Sequence, residues 1–170
     1  MRVVLGSDHA GFDLKERLKR LLDGLKVPYE DVGCWSPEPV DYPDIAAVAA
    51  RKVADRSVER GILVCGTGVG MAIAANKIDG IRAAPACSRE AVALAREHND
   101  LNVLALGGRT TTEEAAFDFV RTFLDTPFDG GRHQRRIDKI AALEHHPASE
   151  VRGPTSGIRA DAPQAGEQSG

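Results

Sequence analysis

Short strand-like runs, most of them rich in Val, Ile and Leu, recur near residues 2–6, 28–32, 61–65, 81–86 and 102–107, and stretches with apolar residues three and four apart separate them. That alternation constrains the fold more than any other feature of the chain. A run that is apolar throughout must be covered on both faces, and a parallel sheet with helices above and below meets the requirement. The predicted order is βαβαβαβαβα plus a last helix, an α/β fold built on five parallel strands.

The first helix is predicted from Leu14, Leu18, Leu21, Leu22 and Leu25, which form one stripe toward the sheet and leave Lys15, Glu16, Lys19 and Arg20 in water. Another helix is predicted to start at Thr111, with Glu114 completing a capping box and Ala115, Phe119, Val120 and Phe123 on a common face. From Pro147 onward the chain carries Pro147, Pro154, Pro163 and several glycines with almost no large apolar residue, too little to offset the entropy of ordering. The expectation is one folded domain over 1–146 and a disordered tail over 147–170, with His145 and His146 exposed at its border.

A formal net charge of -3, with both signs mixed along the chain, argues against a general nucleic-acid surface, so any anion site must be local. Cys34, Cys65 and Cys87 form no CxxC pair, which gives no sign of a disulfide framework or a zinc knuckle. No apolar run approaches the ~20 residues that span a bilayer, and no signal-peptide pattern opens the chain. The expected setting is cytoplasmic, without membrane partners.

The segment ILVCGTGVGMAIAANK, residues 62–77, runs from a buried strand through a glycine turn into a helix. Gly66, Gly68 and Gly70 let the backbone bend and turn several N–H groups, that of Val69 among them, toward one point, a geometry that binds an anion. The spacing is GxGxG, not the GxGxxG of a dinucleotide fold. The strand that follows ends at Cys87 and Ser88 without an acid, and no Walker lysine is present. Cys65 ends the strand, where open α/β sheets place ligands; a strand-end cysteine is more often one more small buried hydrophobe, but the glycine turn beside it reverses that preference in favour of a base or nucleophile.

Other candidates surround this centre. Asp8 and His9 follow the first strand in LGSDHAG, although Asp8 also suits a helix N-cap. His98 and Asn99 close a helix, where a histidine can simply complement the dipole. Arg132 and Arg136 follow two glycines and stand four apart, so that on a helix both can hold one phosphate; Arg109 reads either as a third cation at that rim or as a plain surface arginine. His133 alternates with the arginine face and receives no role.

Together SDHAG, DYP at 41–43, CGTGVG with IAANK, REHND with NVLALGGR, and GGRHQRR resemble the ribose-5-phosphate isomerase B family, which includes the galactose-6-phosphate isomerase subunits. The resemblance runs from residue 1 to about 145. It implies a Rossmann-like three-layer sandwich, a homodimer or a dimer of dimers with active sites at the subunit interface, a sugar phosphate as ligand, and no cofactor or metal. In the family scheme the cysteine matching Cys65 moves a proton between C2 and C1 through an enediolate held by the turn at 66–70. Thr67 matches the hydroxyl that assists the oxygens, His98 with Asp8 the ring-opening groups, and Asn99 a substrate holder. His9, Arg132 and Arg136 match phosphate ligands, with Arg109 a weaker candidate. One family branch uses a glutamate at the position of Met71; with Met71 and Cys65 the chain resembles the cysteine branch.

The implied reaction is aldose–ketose isomerisation, with ribose 5-phosphate first and a tetrose phosphate such as erythrulose 4-phosphate or a hexose 6-phosphate as alternatives. Outside the enzymes, a phosphate-ligand sensor, a nucleotide-binding domain or an inactive subunit of a hetero-oligomer remain open. A sensor has no need of Cys65, Thr67 and His98 together.

Overall fold

The computed structural model describes residues 1–144, so the predicted tail and the pair His145 and His146 lie outside the described residues. Strands β1 (Val3–Ser7), β2 (Tyr29–Asp31), β3 (Arg60–Cys65), β4 (Ala83–Pro85) and β5 (Val103–Gly107) form one parallel sheet in the order β2-β1-β3-β5-β4. The central strands β1 and β5 are buried at every position, and β3 at all but its first, which is why they read as continuous apolar runs. The edge strands are short, and Pro85 sits on an edge where its missing N–H costs nothing.

Helices α1 (Phe12–Gly24), α4 (Arg89–Asn99) and α5 (Glu113–Asp125) cover one face, with Leu18, Leu22, Val92, Val120 and Phe123 in a single core with Leu5, Ile62 and Leu104. On the other face α2 (Tyr42–Ala54) and α3 (Val69–Ala75) pack Ala46, Ala49, Met71 and Ala75 against Val4, Leu63 and Cys65. The result is the expected three-layer sandwich. A final helix, α6 (Gln134–Leu143), is anchored by Ile137 and entered through a 3-10 turn at Gly131–His133. Among the described residues no helix is long and apolar enough to cross a membrane.

Two local expectations are corrected. Lys15 is not in water: its side chain has no exposed surface, and its Nζ stands 2.5 Å from Asp31 Oδ2 and 3.2 Å from Glu16 Oε1. Asp31 ends β2, so the apolar stem of Lys15 is covered while the ammonium finds its partner at the sheet edge, a placement that helical periodicity cannot reveal. Burial alone would raise the Glu16 carboxyl, but Lys19 and Lys15 hold it below its usual range. The second correction is the cap of α5, which is Thr112; its hydroxyl accepts from Ala115 N at 3.3 Å. Thr111 is spent in the turn after β5, where its N–H donates to Gly107 O. The buried face shifts accordingly to Ala116, Val120, Phe123 and Leu124, and Ala115 and Phe119 lie half-buried at its margin.

Candidate active site

The sheet changes winding direction between β1 and β3, and the carboxyl ends of these two strands carry Asp8 and Cys65. Such a switch point opens a crevice for ligands. Cys65 is nearly buried, and its Sγ lies 3.2 Å from Gly68 N, accepting that N–H. The sulfur therefore faces the glycine turn. Gly68 has φ 81 and lies against the backbone of Ala105 and Leu106, so a side chain there meets both strain and a wall. Thr67 and Val69 are exposed on the rim, with Thr67 Oγ1 accepting from Val69 N at 3.4 Å. The ring of Tyr42 covers Gly70: a Cβ on that glycine would stand 2.8 Å from Tyr42 Cζ.

Neighbouring loops complete this end. Gly108 N donates to Cys65 O at 2.7 Å and Arg109 N to Gly66 O at 3.0 Å, which brings the guanidinium of Arg109 over Gly66. Asp8 is buried and does act as a cap, its Oδ1 accepting from Gly11 N at 2.9 Å. The cap reading and the site reading of Asp8 are thus compatible, since the carboxylate stands at the crevice in either case. His9 is exposed, and its Nδ1 accepts from Val40 N at 3.4 Å. A neutral ring in that arrangement carries its proton on Nε2, ready to donate to an anion.

The remaining candidates lie elsewhere. His98 and Asn99 end α4 at the amino edge of the sheet, where Arg82, the residue before β4, donates through Nε to Asn99 O at 3.0 Å. Asp129 N donates to Glu97 O at 3.0 Å, which ties the segment leading to Arg132 and Arg136 to the same edge. Both arginines are exposed, Arg132 in the 3-10 turn and Arg136 in α6. Within one chain, then, Arg109 does not share a rim with Arg132 and Arg136, and His98 does not meet Asp8. The parallel strands separate the two groups by their whole length, because α4 runs back from the carboxyl edge to the amino edge before β5 begins.

Two residues without an assigned role stand in these groups. Tyr42, within the DYP segment, roofs the glycine turn. His133, set aside because it alternates with the arginines, is buried and stacked on His98 with ring centroids 4.3 Å apart. Spacing gives no signal for either; the glycines that turn the chain before His133 were the available hint.

A family model described as Ribose/Galactose Isomerase matches residues 3–140. The chain is 45% identical over 143 residues to ribose-5-phosphate isomerase B of Escherichia coli K12, covering 84% of this chain and 96% of that one. It is similar to a crystal structure of a ribose 5-phosphate isomerase from Thermotoga maritima, with a TM-score of 0.81, 50% identity and coverage of 83% and 97% of the two chains. A structure of ribose-5-phosphate isomerase B from Mycoplasma genitalium with bound ribulose-5-phosphate aligns with a TM-score of 0.80 at 43% identity, over 84% of this chain and 95% of that one.

Proposed function

The chain belongs to the ribose/galactose isomerase family, and from that premise we propose that it interconverts ribose 5-phosphate and ribulose 5-phosphate through an enediolate, in a site completed by a second copy of itself. The observation that carries this reading is the Cys65 sulfur facing the N–H of Gly68 at 3.2 Å, a base beside a cluster of donors. Removing the C2 proton of the open-chain aldose leaves negative charge on O1, and a carbon acid yields its proton only where base and oxyanion donors converge. The Cys65 thiolate takes the C2 proton and returns it to C1. Thr67 relays the hydroxyl proton from O2 to O1, and the N–H groups of Gly66, Gly68, Val69 and Gly70 hold the charge that develops between these steps.

Ribose 5-phosphate rests as a furanose, so the ring must open first. Asp8 and His98 serve that step, with Asn99 holding the substrate, and His9, Arg109, Arg132 and Arg136 bind the phosphate. Asp8 and His98 stand at opposite sheet edges of one chain, and a homodimer that sets the amino edge of one copy against the carboxyl edge of the other brings them together. The surface beside the crevice suits such a partner: Trp35 is 74% exposed, and Val69 and Ile73, four apart on α3, are exposed beside Tyr42. Apolar groups gathered in this way mark an interaction surface.

A panel of four-, five- and six-carbon aldose and ketose phosphates ranked by kcat/KM tests the substrate; the pentose pair is expected to lead, and a preference for a tetrose or hexose phosphate overturns it. Subunit sharing has its own test. Cys65→Ala and His98→Asn are each inactive or nearly so, and mixing them with exchange of subunits is expected to restore about a quarter of wild-type turnover, since half of the dimers then hold one intact site. No recovery in exchanged dimers means that each chain builds its site alone.

A further inference from the structure

We propose that His133 is a positioning residue for ring opening, its imidazole serving as the platform that fixes the ring of His98. The proposal rests on the isomerase reading above and extends it to a residue without an assigned part in the chemistry. The two rings are nearly parallel, 4° between planes with centroids 4.3 Å apart. His133 is 5% exposed whereas His98 is only half-buried, so one face of the His98 ring is covered and its edge remains open. A side chain at the last turn of a helix has rotamer freedom to lose; a flat neighbour on one face removes most of it.

The backbone is built to deliver the platform. Gly130 and Gly131 have φ 63 and 54, and a Cβ on either would meet nothing within 4 Å, so these glycines serve the left-handed turn and not a tight approach. His133 N closes the turn on Gly130 O at 3.0 Å, and Asp129 N holds Glu97 O at 3.0 Å, one residue from His98. The segment is thus fastened to α4 beside the ring that it supports.

The protonation state also fits. Arg132 Nε donates to His133 Nε2 at 3.3 Å, which makes that nitrogen an acceptor and assigns the proton of a neutral ring to Nδ1. Nδ1 is buried without a partner among the described residues. Burial first, then the charges of His98, Arg132 and Arg136, keep His133 below the usual histidine range, with Asp129 opposing them. A neutral ring can stack beneath His98 whether or not His98 carries a proton; two stacked imidazolium ions would repel. The same geometry argues against metal ligation by His98, Asp129 and His133, whose candidate ligand atoms lie within 4.8 Å of one another. Lone pairs in two parallel ring planes do not converge on one ion, so ligation would have to break the stack.

Net turnover and proton exchange separate this role from a structural one. Ribose 5-phosphate must be opened from its furanose, whereas ribulose 5-phosphate, with its C5 oxygen esterified, is already open. His133→Ala is expected to lower kcat/KM for ribose 5-phosphate on the order of 10- to 100-fold, as ring misplacement does, while enzyme-catalysed exchange of a C1 proton of ribulose 5-phosphate with solvent deuterium, which needs no ring step, falls less than about threefold. His133→Phe, which keeps the flat face, is expected to recover most of the loss. Equal losses of turnover and of proton exchange, an unimpaired His133→Ala, or a folded His133→Phe no better than alanine overturns the proposal. His98→Asn is the reference: if that variant opens ribose 5-phosphate as well as wild type, the assignment of His98 fails, and the role of His133 fails with it for that distinguishable reason. Circular dichroism and the melting temperature of each variant report whether it folds.

Discussion

The two edges of the sheet carry different chemistry. At the carboxyl edge a buried sulfur, a left-handed glycine and a roofing tyrosine converge on one point, and main-chain bonds from Gly68, Gly108 and Arg109 tie the Cys65 turn to itself and to the loop after β5. At the amino edge Asn99, Arg132 and Arg136 are exposed, and only the His98 and His133 rings pack on each other. The first arrangement suits proton transfer, which tolerates little misplacement, and the second suits groups that close on a ligand from outside. On the proposed dimeric reading, the fold divides one reaction between its two ends and leaves a second copy to reunite them.

The sharpest way to break the comparison is Cys65→Ala, which is expected to reduce kcat by on the order of 10²–10⁴ while phosphate-ligand binding, measured by calorimetry, persists. Undiminished turnover would strip the carboxyl edge of its role. Next in size is Lys15→Met, which leaves Asp31 and Glu16 short of a buried partner and is expected to cost about 3 kcal/mol in chemical denaturation, with KM unchanged. A raised KM would show that this pair shapes the crevice as well as the sheet edge.

Arg132→Ala and Arg136→Ala should each raise KM roughly tenfold, as loss of one charge-assisted bond does, with a smaller effect on kcat. Kinetics unchanged in both would remove the amino edge from phosphate binding. The smallest effect is a pH slope. His133 is held below the histidine range when folded, so the unfolded chain takes up its proton first as pH falls. Stability from this group is complete above the unfolded value of about 6.5 and is lost as pH drops through the lower folded value. Denaturation midpoints measured downward from neutral pH should therefore decline less in His133→Phe than in the wild type.

Much of this was legible in the chain. Val3–Ser7, Arg60–Cys65 and Val103–Gly107 announce themselves because buried parallel strands need apolar residues on both faces. The turn at 66–70 is equally plain, since glycines at a strand end have few other uses. Lys15 was misread because periodicity records which face a residue occupies and not where its tip ends, and its partner lies sixteen residues away on an edge strand. Thr112 displaced Thr111 because the β5 turn claimed the earlier residue first. Within a chain, the separation of His98 from Cys65 follows from strand order, which no local motif encodes. His133 stayed hidden for a related reason: stacking depends on two segments far apart in sequence.

The burial of Lys15 has a consequence for labelling. An ammonium with no exposed surface and a carboxylate 2.5 Å away is shielded from reagents that acylate free amines. Among the lysines of the described residues it should react last, and its first modification would time the moment when the short outer strand ending at Asp31 peels from the sheet.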